Sequence, residues 1–139
     1  MGRIIGIDYG KVRIGFAISD ENAIIAQPKP FIPAGKTLKE TARRLAEEIS
    51  KHSPSTIVIG LPLHMSGKES PMSEEVRKLV PLLEELCQTQ VVLWDERLST
   101  AQIERELKMA EVSRKKRTPI IDSLTATLIL QNFLDRSRM

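Results

Sequence analysis

The chain has 139 residues, 41% of them hydrophobic, so it is long enough to bury one core, and we expect residues 1–139 to form a single domain. No apolar run approaches the roughly 20 residues that a transmembrane helix needs, and the first residues lack a signal-peptide pattern. We therefore expect a soluble, cytoplasmic protein with no membrane partner. Cys87 is the only cysteine, which excludes an intramolecular disulfide, and the net charge of +3 permits a polyanionic partner without requiring one.

Two β-branched runs at the start of the chain predict a hairpin. The first, residues 4–7, ends at Tyr9 and Gly10, and the second covers residues 12–19. Asp8 is then placed at the end of a buried strand. A buried carboxylate needs a partner or a bound cation, because burying an unpaired charge is costly. The simpler alternative is that Asp8 caps the turn at Gly10.

The middle of the chain alternates between strand and helix patterns. Residues 23–33 contain three prolines, which favours a broken edge strand or an extended connection. Thr37 and Glu40 have the spacing of a capping box ahead of an amphipathic helix of about four turns. A strand buried on both faces at residues 55–61 and a second amphipathic helix from Pro71 follow.

The last third of the chain places two further acids at the ends of predicted elements. Residues 90–94 predict another buried strand, which runs directly into Glu96. Residues 111–117 are polar and basic, which is typical of a mobile surface loop. Thr118 and the proline after it predict the start of the last helix, with Asp122 in its first turn.

This order of elements predicts an α/β protein with a mixed sheet, in which a meander is followed by right-handed parallel crossovers. The carboxyl ends of parallel strands share one edge, and ligands of open α/β sheets bind there. Neighbouring strands lie about 4.8 Å apart, so Asp8 and Glu96 can share a cation if their strands are one or two places apart. The last helix can bring Asp122 to the same edge.

Carboxylates on three separate elements are suited to a hard divalent cation such as Mg²⁺, which prefers oxygen ligands. Two such ions about 3.5 to 4 Å apart can activate a water and stabilise the leaving oxygen of a phosphodiester. The sequence thus predicts Asp8, Glu96 and Asp122 as metal ligands and catalytic residues. Each has a structural alternative, since Glu96 can pair with Arg97 and Asp122 can favour the positive end of its helix dipole.

Basic residues bracket the predicted metal site along the chain. Phosphate contact is the natural hypothesis for them, and a solvated surface is the alternative. Aromatic residues make up only 4% of the chain, which favours recognition of the nucleic-acid backbone or shape over base stacking. In the loop at 62–70, His64 is expected to be a surface residue, and Glu69 is the weakest candidate for an extra acid. The predicted nucleic-acid contacts are Lys11, Arg13, Arg97, Arg114, Lys115, Lys116 and Arg117.

Four ordered motifs resemble those of the YqgF family of Holliday-junction-resolvase-like nucleases: IIGIDYGKVRIGFA, IGLPLHMSG, DERLST and DSLTATLILQ. The match spans residues 3–131, which is nearly the whole chain. The resemblance implies an RNase H-like fold whose mixed five-stranded sheet begins with three antiparallel strands. It also implies Mg²⁺- or Mn²⁺-dependent cleavage of nucleic acid, with Asp8, Glu96 and Asp122 as the metal-holding acids.

The resemblance leaves the substrate open. Family members have been linked to branched recombination intermediates and to the 5′ end of the precursor of small-subunit ribosomal RNA. A junction cutter is expected to act as a symmetric homodimer, whereas an enzyme that trims RNA ends need not. Related junction resolvases place a second aspartate three residues after the helix aspartate, and here that position is Thr125. Either a second metal is held weakly, with substrate phosphate supplying ligands, or the site takes up metal only with nucleic acid.

Two other classes of function are open to this sequence. The Asp-Tyr-Gly motif also resembles the first phosphate loop of the actin, hexokinase and Hsp70 superfamily, which would make the chain a phosphotransferase or ATPase. Those proteins enclose a nucleotide between two such domains, and no second glycine-rich phosphate loop is evident. The other class is a non-catalytic nucleic-acid-binding factor in transcription or ribosome assembly, against which the presence of all three acids argues.

Overall fold

The structure is a computed structural model that describes residues 2–98 and 123–138. In chain order, the elements of these ranges are β1 (Ile4–Asp8), β2 (Arg13–Ser19), β3 (Ala26–Pro33), α1 (Leu38–Ser50), β4 (Thr56–Leu61), α2 (Pro71–Cys87), β5 (Gln90–Asp95) and α3 (Leu124–Ser137). A short 3₁₀ turn, Glu96–Leu98, follows β5 directly. In this part of the chain, no helix has the length and apolar character needed to cross a membrane.

The strands form one mixed sheet in the order β3-β2-β1-β4-β5. β1 pairs antiparallel with β2, and β2 with β3, while β4 is parallel to both β1 and β5. The predicted meander followed by parallel crossovers is thereby confirmed. The expectation of a buried fifth strand is wrong in part: β5 pairs on one side with β4, and most of its side chains are only half-buried.

Helices cover the two faces of the sheet unequally. α1 and α2 pack together on one face, where Ile5 and Ile7 of β1 are fully buried in the larger apolar core. Side chains alternate along a strand, so Gly6 lies on the opposite face, which α3 covers. A Cβ on Gly6 would lie 2.7 Å from Cβ of Leu130, so this glycine lets α3 approach the centre of the sheet closely.

The helix starts follow the predicted capping chemistry with one difference. Thr37 Oγ1 accepts the N–H of Glu40 at 3.1 Å, as expected of an N-cap. The Glu40 carboxylate, however, accepts the N–H of Lys36 at 2.8 Å rather than that of Thr37, so the reciprocal bond of a capping box is displaced by one residue. The described part of α3 begins at Leu124, and the predicted helix start at Thr118 lies outside the described residues.

Candidate active site

Two of the three predicted acids lie at one edge of the sheet. Asp8 is the last residue of β1, opposite Gly15 of β2, and is only 5% exposed. Glu96 begins the turn after β5 and is fully buried. Because β1, β4 and β5 are parallel, their carboxyl ends meet at this edge, and β4 lies between the two acids.

Gly60 of β4 has no side chain, and this allows the Glu96 side chain to approach β1. A Cβ on Gly60 would lie 2.7 Å from Oε2 of Glu96 and 2.5 Å from Cδ1 of Ile129, so the Glu96 carboxylate lies over the β4 backbone on the α3 face. Ile7 pairs with Ile59, which places Asp8 beside Gly60 in the continuing register. By alternation, the side chain of Asp8 is also on the α3 face.

The start of α3 is anchored beside the same strand end. Ser123 Oγ accepts the N–H of Phe16 at 3.0 Å, and both residues are buried. Phe16 is the register partner of Ile7, one position from Asp8, and the β2–β3 ladder shifts register at this point. The bulge frees a backbone donor that the helix accepts, so the first residues of α3 are tied to the strand that pairs with β1.

The third predicted acid, Asp122, precedes Ser123 in the sequence and lies outside the described residues, as do Arg114, Lys115, Lys116 and Arg117. Within residues 2–98 and 123–138, no group of three or more His, Cys, Asp and Glu residues is placed to hold a metal ion. The donors that the described part contributes to this edge fit a hard cation, since both are buried carboxylates. The structure thus places two of the three predicted ligands at one sheet edge, and the metal-binding role of all three stays a prediction.

Arg97 neutralises an acid other than the one expected. Its Nη2 lies 2.8 Å from Oδ2 of Asp95, and its Nη1 donates to the carbonyl of Met65 at 3.3 Å. The hydrogen bonds from Arg97 hold the pKa of Asp95 below its ordinary value, and the same contact raises the pKa of Arg97. The alternative in which Arg97 pairs with Glu96 is therefore wrong. Arg97 instead ties the end of β5 to the loop after β4.

The other predicted nucleic-acid contacts of the described part, Lys11 and Arg13, lie in the turn after β1 and at the start of β2. Lys11 is exposed in the turn after β1. The guanidinium carbon of Arg13 lies 5.4 Å from the ring centroid of Phe31, a cation–π contact that orients this side chain on β3.

The loop after β4 carries no extra acid for the site. Glu69 accepts two hydrogen bonds from Arg77, at 2.8 and 2.9 Å, and a third from the Ser73 hydroxyl. The Arg77 bond is the main cause of the lowered pKa of Glu69. Through these hydrogen bonds, Glu69 holds the loop against α2. His64 is exposed, as expected, and its N–H donates to the Lys68 carbonyl in a turn.

Thr125, the position at which related resolvases carry an aspartate, is only 1% exposed. Within residues 2–98 and 123–138 its hydroxyl makes no hydrogen bond, which is unusual for a buried polar group. Thr125 lies one helical turn before Ile129, the residue that contacts Gly60, so it is on the stripe of α3 that faces the carboxyl edge of β4. Sequence reasoning missed the roles of Gly60 and Ser123, although a glycine inside a β-branched strand is a signal of close approach.

Comparison with known proteins places the chain among nucleases. The family model described as RuvX, Holliday junction resolvase, matches residues 2–136. A Chlamydia felis protein named as a candidate pre-16S rRNA nuclease is 48% identical over 96% of this chain and 90% of its own length. Proteins of the same name from Protochlamydia amoebophila and Bacillus cereus are 44% and 43% identical, over 96% of this chain and 93% and 98% of theirs.

Two solved structures share the fold at low sequence identity. The Thermus thermophilus RuvC structure in complex with a Holliday junction substrate aligns with a TM-score of 0.58 at 12% identity, over 99% of this chain and 96% of that one. A hexokinase of the ROK type from the same organism aligns with a TM-score of 0.51 at 20% identity, over 76% of this chain and 37% of that one. The predicted RNase H-like architecture is confirmed, and these two likenesses show the fold alone.

Proposed function

Because this chain belongs to the RuvX family of Holliday junction resolvases, we propose that it is a metal-dependent nuclease that hydrolyses phosphodiester bonds in structured nucleic acid. The observation that carries the proposal is the convergence of Asp8 and Glu96 at one sheet edge, with the Glu96 carboxylate over Gly60. Two buried acids at the carboxyl ends of two parallel strands, separated only by β4, are an arrangement suited to holding a cation.

In this proposal, Asp8, Glu96 and Asp122 hold Mg²⁺ or Mn²⁺. The metal, when bound, supplies an activated water and a Lewis acid for the leaving oxygen. Asp122 is included because its sequence neighbour, Ser123, is bonded to Phe16 beside the end of β1. The protein's own part is to fix the acids rigidly and to exclude bulk water, since Glu96 is fully buried and Asp8 nearly so.

The substrate that the relatives favour is the precursor of 16S ribosomal RNA. Relatives at 40–48% identity carry that name, whereas the likeness to the junction-bound structure is at 12% identity. We therefore assign the chain to processing at the 5′ end of this precursor, with a four-way DNA junction as the competing substrate. A symmetric homodimer, which cutting both strands of a junction requires, stays a prediction tied to that competing substrate.

The test is cleavage of both substrates by the wild-type protein and by Asp8→Asn in Mg²⁺ or Mn²⁺. We expect wild-type protein to cut precursor rRNA in either metal, chelation to abolish cutting, and Asp8→Asn to lower the rate by at least about 10²-fold. Asp135→Asn is the matched control, because Asp135 is an exposed aspartate at the far end of α3 that pairs with Arg138. Mn²⁺ affinity, measured by calorimetry, should fall in Asp8→Asn and stay unchanged in the control.

Three outcomes contradict the proposal in different ways. Cleavage that survives Asp8→Asn removes the acid from the mechanism. Binding of either nucleic acid without metal-dependent cleavage supports the non-catalytic factor instead. Saturable binding of a nucleoside triphosphate without nucleic-acid cleavage supports the phosphotransferase alternative.

A further inference from the structure

A basic cavity lies on the face of the sheet opposite the two acids. It has a volume of about 410 Å³ and opens between the turn after β1, the start of α1 and the middle of α2. Among the described residues, lysines from all three segments line it, namely Lys11, Lys36 and Lys78, together with one carboxylate, Glu75. The cavity therefore carries an excess of two positive charges. Of the lining residues, the sequence singled out Tyr9, Lys11 and Thr37, and none of them as part of a cavity.

The three ammonium groups are available for a ligand. All three lysines are exposed, and within the part of the chain that the structure describes none of them forms a salt bridge. At the other end of α1, by contrast, the C-cap residue Lys51 pairs with Glu48 at 3.3 Å. Three like charges around one concavity repel one another, so an anion bound between them is stabilised.

The start of α1 forms one wall of the cavity. Hydrogen bonds hold this segment in place, and the helix dipole adds positive potential there. The N–H of Gly35 donates to Thr41 Oγ1 at 2.9 Å, and that of Lys36 donates to Glu40 at 2.8 Å. Thr37 accepts the N–H of Glu40, which leaves the N–H of Leu38 without an acceptor inside the helix. The positive end of the helix dipole thus adds to the lysine charges at this side of the cavity.

The floor of the cavity is formed by a partly buried hydrogen bond between Tyr9, the residue after β1, and Glu75 of α2. The Tyr9 hydroxyl donates to Oε2 of Glu75 at 2.9 Å. Burial, together with this bond to a negative carboxylate, raises the pKa of Tyr9 to about 12, so the hydroxyl stays protonated at neutral pH. The Glu75 carboxylate is thus engaged by Tyr9, whereas the three lysines form no salt bridge within the described residues.

We propose that this cavity binds a backbone phosphate of the same nucleic-acid strand whose cleavage is assigned to the edge at Asp8. The inference rests on the proposed function. Tyr9 directly follows Asp8, and Lys11 follows two residues later, so the cavity and the candidate active site adjoin each other around the end of β1. A strand passing over this end can place one phosphate at the acids and a neighbouring one among the lysines. Lysines bind phosphate as point charges without reading bases.

The first experiment tests anion binding without nucleic acid. Inorganic phosphate is titrated into ¹⁵N-labelled protein, and we expect saturable shifts of the backbone amides of Lys36, Thr37 and Leu38. Lys36→Gln/Lys78→Gln should abolish the saturable shifts. Lys39→Gln is the matched control, because Lys39 is an exposed lysine of the same helix turn that does not line the cavity. Absence of saturable shifts in the wild-type protein overturns the proposal.

The second experiment tests whether the phosphate belongs to a nucleic-acid strand. Binding of a single-stranded RNA is measured as a function of salt in an Asp8→Asn background, so that no cleavage occurs. We expect Lys36→Gln/Lys78→Gln to lower the affinity roughly fivefold or more and to make the slope of log K against log salt less negative by about 0.7. Lys39→Gln should change neither, and Glu75→Gln should strengthen binding because it removes the opposing charge.

The two experiments separate failure of this inference from failure of the proposed function. Phosphate shifts combined with unchanged RNA binding in the double variant overturn the assignment to the substrate strand and point to a free phosphorylated ligand. RNA binding that depends on the cavity lysines in a protein that never cleaves supports the cavity while contradicting the nuclease. Wild-type affinity and slope in the double variant, without phosphate shifts, overturn the site altogether.

Discussion

At the residue scale, the candidate site depends on an absent side chain. Glu96 can be buried over β4 only because Gly60 has no Cβ, and the same gap admits Ile129 of α3. Glycine inside a strand weakens it and usually marks a close approach of another group. Here the approaching group is a carboxylate, which links the local weakness of β4 to the function proposed for its edge.

Gly60→Ala should therefore damage the site more than the fold. The added methyl would lie 2.7 Å from Oε2 of Glu96 and 2.5 Å from Ile129, so both must move. We expect the free energy of unfolding to fall by about 1 to 3 kcal/mol, which is typical of overpacking, and Mn²⁺ affinity to fall markedly because Glu96 is displaced. Urea denaturation and calorimetry measure the two effects.

Gly6→Ala is the matched control for Gly60→Ala. Its Cβ would lie 2.7 Å from Cβ of Leu130, on the same face and against the same helix, but beside no carboxylate. We expect a comparable loss of stability with Mn²⁺ affinity retained. If both variants lose metal affinity equally, the special role of Gly60 is contradicted.

Tyr9 offers a direct optical test of the cavity floor, because it is the only tyrosine in the chain. The folded-state pKa is raised to about 12 from an ordinary value of 10.0, so the stability from this group is fully present below about pH 10 and is lost as pH rises toward 12. Tyrosinate absorbance should titrate near 12 in the native protein, with circular dichroism confirming the fold at each pH. Glu75→Gln should lower the midpoint of this titration. A native midpoint near 10 would contradict the hydrogen bond between Tyr9 and Glu75.

At the element scale, the contact between β2 and α3 positions the helix start. The register shift between β2 and β3 coincides with the donor, Phe16, that Ser123 accepts. The hydrogen bond thus joins the irregular part of β2 to the N-cap residue of α3, which lies 107 positions later in the sequence. The bond fixes where α3 begins relative to the end of β1.

Ser123→Ala should leave the N–H of Phe16 buried without its acceptor. An unsatisfied buried donor costs about 1 to 3 kcal/mol, and we expect urea denaturation to show a loss in that range. Ser137→Ala is the control, because that hydroxyl donates to the Phe133 carbonyl at the exposed end of the same helix, and its loss should stay within about 0.5 kcal/mol. Nuclease activity should fall in Ser123→Ala under conditions where the protein is fully folded. Equal stabilities of the two variants would contradict the anchoring role.

The same elements show what could be predicted from the sequence. The strand directions follow from alternation of strands and helices, so the meeting of Asp8 and Glu96 at one edge could be predicted. The contact of Glu96 with Gly60 could not, because it depends on side-chain packing from α3. Lys36 and Lys78 each have the sequence context of an ordinary surface lysine, and they line one cavity only once α1 and α2 pack together.

The displaced cap of α1 has a similar cause. The spacing of Thr37 and Glu40 predicts a bond between the Glu40 side chain and the backbone of Thr37. In the structure, Gly35 packs so closely on Glu40 that a Cβ there would lie 2.6 Å from Cγ, and the carboxylate reaches Lys36 instead. Spacing predicts which residues interact at a helix start, but the path of the preceding chain decides which donor is reached.

At the scale of the whole molecule, placement of charge matters more than the net charge of +3. Lys11, Lys36 and Lys78 line one cavity beside the turn that follows Asp8, and Arg13 begins β2 just after that turn. These positive charges can thus attract a polyanion to the edge of the sheet that carries the two acids. The acids repel the polyanion there unless a metal ion is bound. Metal and substrate binding are therefore expected to favour each other.

The basic segment before the last helix supplies the final prediction, which concerns the whole electrostatic footprint. Replacing Arg114, Lys115, Lys116 and Arg117 with glutamine should make the salt slope of RNA binding less negative by up to about 3, since each phosphate contact on a single strand contributes about 0.7. The matched control replaces four basic residues in or directly after α1 and α3, Lys39, Arg43, Lys51 and Arg136, and changes the net charge equally. Fluorescence anisotropy between 50 and 200 mM salt, roughly the range in which such contacts are resolved, measures both slopes.

If only net charge matters, the two variants will behave alike, and if the segment is merely a solvated surface, its variant will keep the wild-type slope. A change confined to the segment variant is the result expected if these four residues contact phosphates.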